Sequence, residues 1–160
     1  MSNDASRQRI ARIILEDAPG IRLSPRIEHE RRSALYDLIE NNVFRPIGNF
    51  TGPYVVEMTV VGERLGFRIM DENGTELRHF NTALGSIRRI VKDYFYVCDN
   101  YFSAIKTMSP SRIEAIDMGR RGLHNEGAQL LQERLAIDVE IDLDTARRLF
   151  TLVCVLHIRK

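Results

Sequence analysis

The chain has 160 residues, of which 44% are hydrophobic and 28% are charged, and its 23 basic and 22 acidic side chains leave a formal net charge of +1. This composition is that of a globular protein rather than a disordered chain. It argues against binding of nucleic acid through the overall charge, although it allows a local basic patch. We therefore expect residues 1–160 to form a single domain, with residues 1–8 as a disordered N-terminus.

The N-terminal residues and the cysteines indicate the cellular compartment. The first residues are polar and lack the apolar stretch of a secretory signal, and no segment approaches the roughly 20 apolar residues of a membrane span. Cys98 and Cys154 lie in apolar runs, without the spacing of a metal site or a disulfide framework. We expect a cytoplasmic protein with two buried free thiols, no metal, no cofactor and no membrane association.

The N-terminal half begins with a predicted strand and helix. Residues 9–16 are rich in Ile and Leu and read as a strand, which a turn at residues 17–20 closes. Ser24 and Pro25 then predict the start of a helix, because Ser caps N–H groups and Pro fits the first helical position. Residues 44–53 read as a loop.

An antiparallel meander follows. Residues 54–61 are mostly β-branched, residues 64–69 alternate between apolar and other side chains, and residues 76–82 provide a third strand. Asn73 and Gly74 predict a tight turn, because both residue types tolerate positive φ.

From Leu84 onwards the apolar residues follow a helical period. One apolar face runs through residues 87–105, and Ser109 with Pro110 repeats the device that starts the first helix.

Two C-terminal segments allow alternatives. Residues 137–143 are either a short strand or an extended linker. Asp142 or Asp144 caps a last helix, although the β-branched run at residues 153–158 leaves a strand as an alternative. The predicted fold is α+β: an N-terminal strand and helix, an antiparallel β-meander, and C-terminal helices packed on the sheet.

Residues 119–127 have the least usual composition in the chain, with three glycines in a short polar window. Each glycine in a helix interior costs roughly 0.5–1 kcal/mol relative to alanine, so the window predicts a helix break or a close approach of backbones. Whether it is loop or helix stays open. In a continuous helix, Arg120 and His124 would share the core-facing side with Leu123 and Gly127, and a buried arginine would need an acidic partner.

The same window is the candidate site. Arg120 and Arg121, with Asn125, are the predicted ligand-binding residues, because guanidinium groups bind phosphate and carboxylate. His124 is the candidate for proton transfer, and Glu126 is a second catalytic candidate that would orient it or act as a base. The other interpretation of the window is purely structural: Arg120 and His124 tie down backbone carbonyls.

Other polar groups give weaker signals. Cys154 and His157 have the spacing of a nucleophile and its base on a helix, but their surroundings are apolar. His29 reads as part of a solvated helix face. Basic pairs recur and are typical of helix surfaces, but would form a patch for RNA or an acidic protein if they converged: Arg31 with Arg32, Arg88 with Arg89, Arg120 with Arg121, and Arg147 with Arg148.

Four segments resemble a known bacterial family. They are DMGRRGLHNEG at residues 117–127, DTARRLFTL at 144–152 with Cys154 and His157 after it, EDAPGIRLSP at 16–25, and IVKDYF at 90–95. In these the chain resembles uncharacterised protein family 0262. The resemblance implies a small protein of alphaproteobacterial type and supplies no activity, substrate, cofactor or catalytic residue.

Three functional hypotheses follow. The first is a small interaction or regulatory protein without catalytic activity, with a protein partner at a charged helical surface. The second is a protein or enzyme that binds an anionic ligand at residues 119–127. The third is a binder of RNA or of a ribonucleoprotein. The sequence leans away from an enzyme and makes no prediction of the oligomeric state.

Overall fold

The computed structural model of the chain describes residues 5–16 and 24–158, and the turn predicted at residues 17–20 lies outside them. The fold is α+β, as predicted. In the described part, the strands are β1 (Ile10–Leu15), β2 (Phe44–Pro46), β3 (Tyr54–Val61), β4 (Arg64–Met70), β5 (Glu76–Ala83) and β6 (Val139–Ile141). The helices are α1 (Pro25–Glu40), α2 (Ser86–Ala104), α3 (Pro110–Leu135) and α4 (Leu143–Ile158).

The main sheet has the strand order β1-β3-β4-β5. Strands β3, β4 and β5 form the predicted antiparallel meander, whereas β1 pairs with β3 in parallel. In the turn between β4 and β5, Gly74 has a φ of 88° and Asp71 Oδ1 accepts from the backbone N–H groups of Asn73 and Thr75, both at 2.9 Å. The meander therefore depends on the turn residues that the sequence indicated.

A second, two-stranded sheet joins β2 to β6 in antiparallel register. This corrects the loop predicted at residues 44–53, since residues 44–46 are a strand. The strand alternative at residues 137–143 is confirmed. Phe44 and Val139 are fully buried, so burial of a few apolar side chains favours pairing even in these three-residue strands.

The predicted helix caps are present. Ser24 Oγ accepts from the backbone N–H of Ile27 at 3.2 Å, and Ser109 Oγ accepts from that of Arg112 at 3.4 Å. Of the two acids proposed for the last helix, Asp142 is the cap, because its carboxylate accepts from the backbone N–H of Thr145. Residues 153–158 continue α4, so their alternative as a strand was wrong.

The expected break at residues 119–127 is absent, and α3 is one continuous helix. Gly119 and Gly122 face open space, whereas a Cβ on Gly127 would lie 2.3 Å from two ring atoms of Phe150. Close packing thus explains Gly127 alone. Gly127 is buried, and the next residues of this face, Ala128 and Leu131, are fully buried, so packing in the second half of α3 offsets the glycine penalty.

The core lies between the sheet and the helices. Helix α4 packs on β3 and α1 packs on β1, while α2 contacts α3, α3 contacts α4, and α1 contacts α4. Cys98 and Cys154 are buried free thiols. Gln8, within the stretch expected to be disordered, is buried and donates to the carbonyl of Phe50. Of the helices in the described ranges, none combines the length and apolar character needed to cross a bilayer.

Candidate functional site

A cleft of about 410 Å³ opens between α1, α3 and α4, and Tyr94 of α2 also lines it. Each of the three flanking helices presents residues at positions i, i+1 and i+4, which lie together on one side of a helix. The cleft therefore has three walls of short helical stripes, and their chemistry differs.

The α3 wall contains most of the window that the sequence singled out. Arg120, Arg121, His124 and Asn125 all line the cleft. Glu126 is exposed and is not among the lining residues, so its pairing with His124 stays a prediction. Because α3 is continuous, Arg120 and His124 are half-buried on the side that also holds buried Gly127, as expected for a helix.

Asp117 is the acidic partner of both α3 arginines. Its Oδ1 accepts from Arg120 Nη2 at 2.6 Å, and its Oδ2 lies 2.7 Å from Arg121 Nη2. The hydrogen bonds from Arg120 hold the pKa of Asp117 below its usual value. A guanidinium group carries five N–H donors, so both arginines are anchored and keep donors for a ligand.

The α4 wall adds Arg147, Arg148 and Thr151. Arg147 Nη1 lies 3.4 Å from Asp144 Oδ1, and Arg148 Nε lies 3.9 Å from Asp37 Oδ2. Ion pairs this long at a partly exposed surface contribute little, so these two cations are weakly engaged.

His124 is held as a neutral ring. Its Nε2 lies 2.8 Å from Thr151 Oγ1, and the Thr151 hydroxyl donates to the carbonyl of Arg147. The tautomer that satisfies both contacts donates from His124 Nε2 to Thr151 and leaves the lone pair of the ring on Nδ1. The ring packs against Tyr94 and Phe150, with centroid separations of 5.3 and 5.2 Å.

The charges around His124 also indicate the electrostatic potential in this part of the cleft. Burial is the main reason that its pKa falls to about 4, and the positive charges of Arg147, Arg120 and Arg148 lower it further. At neutral pH the ring is uncharged and acts as a hydrogen-bonding group. The arginines thus place this part of the cleft at a positive potential, despite their own acidic partners.

The α1 wall is acidic, and it was missed from the sequence. His29, Glu30, Ser33 and Asp37 line the cleft from this side. His29 is exposed, as predicted for a solvated helix face. Glu30 is half-buried, and burial raises its pKa, an effect that the charge of Arg120 partly offsets. Within residues 5–16 and 24–158, no arginine forms an ion pair with Glu30.

Further candidates lie in the interior. Burial raises the pKa values of Tyr94, Cys98 and Cys154, so all three stay protonated at neutral pH. Cys154 is almost fully buried, which does not suit a nucleophile that must reach a substrate. In the part of the chain that the structure describes, no three His, Cys, Asp or Glu side chains are grouped to hold a metal ion.

Comparison with known proteins defines the family. The sequence profile of the Uncharacterised protein family (UPF0262) matches residues 7–159. The chain belongs to this family. It is 52% identical to a UPF0262 protein of Paramagnetospirillum magneticum, over 96% of this chain and 98% of the relative.

Further relatives come from other bacteria. A UPF0262 protein of Rhodopseudomonas palustris is 52% identical over 98% of each chain, and one of Brucella canis is 50% identical over 99% of each. No solved structure matches the chain. The names of these relatives state family membership only.

Proposed function

We propose that the protein binds a small molecule that carries a phosphate or carboxylate group in the cleft between α1, α3 and α4. The observation that carries this proposal is the convergence of Arg120, Arg121, Arg147 and Arg148 from two helices on one cleft. A volume of about 410 Å³ lies within the usual range for small-molecule sites. Planar guanidinium groups provide paired donors that match a phosphate or carboxylate.

Two features favour a small anion over RNA. The opposite wall carries Glu30 and Asp37, which would repel a continuous phosphate backbone. The arginines also lie in a concave site, where a compact ligand can contact both α3 and α4. The basic pair of α2, Arg88 with Arg89, is not part of the lining, so the basic pairs do not form one extended surface.

Binding without catalysis is the form of the proposal that the chemistry supports. A histidine whose pKa is about 4 is a poor general acid at neutral pH and a weak base. Glu126, the other catalytic candidate, is outside the lining. A ligand-binding protein without enzymatic activity also accords with a regulatory role, in which a bound metabolite stabilises the packing of three helices.

Calorimetric titration and thermal unfolding with inorganic phosphate, and in parallel with propionate, test the proposal. Both are done at pH 7 and constant ionic strength, with sodium chloride as the control. A ligand present at about 100 times its Kd stabilises the native state by about 2.7 kcal/mol. For a chain of this size that corresponds to a rise in Tm of about 5–11 °C.

A matched pair of arginine variants locates the site. Arg148→Gln removes a cleft cation whose ion pair with Asp37 is 3.9 Å long, so the fold should tolerate it. Arg89→Gln removes an exposed arginine of α2 outside the cleft. Loss of one charge-assisted hydrogen bond should raise the Kd about tenfold in Arg148→Gln only. Absence of binding by both anions, or equal Kd values in wild type and both variants, would contradict the proposal.

A further inference from the structure

We infer that the ligand of this cleft carries a positively charged amino group a few bonds from its anionic group, as phosphorylated amines and amino acids do. The inference rests on the proposed anion-binding function and specifies the ligand class of the same site. It comes from the way that the charges are divided among the walls.

The division of charge follows the helices. Both acids of the lining, Glu30 and Asp37, are on α1, whereas its four arginines are on α3 and α4. Positions 30 and 37 are two helical turns apart, so the two carboxylates lie on one face of α1. A ligand in the cleft therefore meets an acidic wall on one side and a basic wall on the other.

Among the described residues, no cation is hydrogen-bonded to the carboxylates of the acidic wall. The anchoring acids of the basic wall, Asp117 and Asp144, come from α3 and α4 themselves. Asp37 is 3.9 Å from Arg148, which is too long for a hydrogen bond, and among the described residues Glu30 has no ion pair. The carboxylates of α1 therefore remain available to a cation.

Burial makes this arrangement costly when the cleft is empty. Glu30 is half-buried, and a carboxylate away from water is unfavourable unless a cation or hydrogen-bond donors compensate. An anion alone would add repulsion from Glu30 and Asp37. An ammonium group beside them would form the direct ion pair with Glu30 that Arg120 and Arg26, which act on it from a greater distance, do not provide.

Binding of matched ligand pairs tests the inference. O-phosphoethanolamine is compared with ethyl phosphate, which lacks the amine, and with 2-hydroxyethyl phosphate, which replaces it by a hydroxyl. β-Alanine and propionate form the equivalent carboxylate pair. We expect the aminated member to bind about tenfold or more tightly than its partner at pH 7, as for a charge-assisted hydrogen bond.

A second variant pair assigns the preference to α1. Glu30→Gln should remove the advantage of O-phosphoethanolamine and leave ethyl phosphate binding unchanged or tighter. Glu28→Gln, a carboxylate of the same helix outside the cleft that pairs with Arg31, should keep the advantage. Circular dichroism and thermal unfolding of each variant confirm that it is folded.

The outcomes separate the two proposals. Equal affinities for the three organic phosphates, with inorganic phosphate also bound, would overturn the amino-group inference and leave the anion site standing. Equal binding of the hydroxyl and amino compounds would also overturn it, because hydrogen bonding without charge would then suffice. Failure of every anion, aminated or not, would overturn both.

Discussion

On the outer face of the sheet, Arg68 lies between two carboxylates, with its Nε 3.3 Å from Glu57 Oε1 and 3.6 Å from Glu76 Oε1. His79 Nδ1 is 2.7 Å from Glu76 Oε2. In the cleft, by contrast, the arginines pair mainly within their own helices, and the acids of α1 face them across a gap. Both clusters mix the two signs of charge, but in the outer-sheet cluster Arg68 lies in direct contact with both carboxylates.

The difference has a structural cause. Arg68 is the direct cross-strand partner of both Glu57 and His79, so sheet register brings opposite charges into contact. The walls of the cleft come from separate helices, whose separation the core packing determines. Mixed charge alone is therefore an uninformative feature. Charge that is separated across a cavity is the feature that indicates a ligand.

The largest effect that would test the contrast between the cleft and the outer-sheet cluster is the pH dependence that His124 gives to the free energy of unfolding. Its folded pKa of about 4 lies below the ordinary value of 6.5, so the unfolded chain binds more protons between these values. The stability that neutral His124 contributes is fully present above pH 6.5 and is lost as the pH falls towards 4. By linkage the loss amounts to at most about 3 kcal/mol.

Urea unfolding of wild type and His124→Gln between pH 7 and pH 4 measures this loss. The variant should show a shallower decline, and the difference between the two curves isolates the ring. Burial raises the pKa of Glu30, which titrates in the opposite sense, but this contribution is common to both proteins. Parallel curves would show that burial and the arginines do not depress the proton affinity of His124.

An intermediate effect separates the glycines of α3. Gly127→Ala places a methyl group 2.3 Å from the buried ring of Phe150, and we expect overpacking to destabilise the protein by about 1–3 kcal/mol. Gly122→Ala has open space and should stabilise by roughly 0.5–1 kcal/mol. Chemical unfolding gives both values.

Phosphate titration of the same two variants links this packing to the cleft. Gly127→Ala disturbs the contact between α3 and α4, so it should also weaken phosphate binding, whereas Gly122→Ala should not. If Gly127→Ala were neutral for both stability and binding, the contact with Phe150 would not control the distance between the basic walls.

The smallest effect is expected at the outer face of the sheet. Arg68→Gln removes the central cation of that cluster, but its side chain is about half exposed, so the free energy of unfolding should fall by less than about 1 kcal/mol. The Kd for phosphate should stay unchanged. A higher Kd in the variant would mean that the outer face contributes to the anion site, and the contrast between the two clusters would fail.

The elements were predictable wherever a local rule governs them. The caps at Ser24 and Ser109 and the turn at Asn73 and Gly74 depend on residues a few positions apart, and all are present. The pairing of β2 with β6 has no local signal, because its strands meet only when distant parts of the chain fold together. The helix break was predicted from the glycine penalty alone, without the packing of residues 127–135 that offsets it.

The residues of the candidate site were likewise predictable only where a local sequence signal marks them. The residues of α3 were found because arginine, histidine and glycine cluster within one short window. Glu30 and Asp37 gave no such signal, since an acidic residue on an amphipathic helix is usually solvated. Arg147 and Arg148 were recognised only as one of several basic pairs. The repeated i, i+1, i+4 spacing of polar residues on three helices is the pattern that sequence inspection could have used.

The hydrogen bond from the backbone N–H of Val43 to Thr145 Oγ1 has a kinetic consequence, because it joins residues that are 102 positions apart. Together with the contact between α1 and α4, it closes a very long loop of chain. We expect contacts of such high sequence separation to form late in folding, because the entropy cost of closing the loop comes before the contacts can stabilise it. Helix α4 supplies Arg147, Arg148 and Thr151, so the cleft becomes complete only when this helix docks. We therefore expect a ligand of the cleft to stabilise the docked position of α4. It should slow unfolding more than it speeds folding.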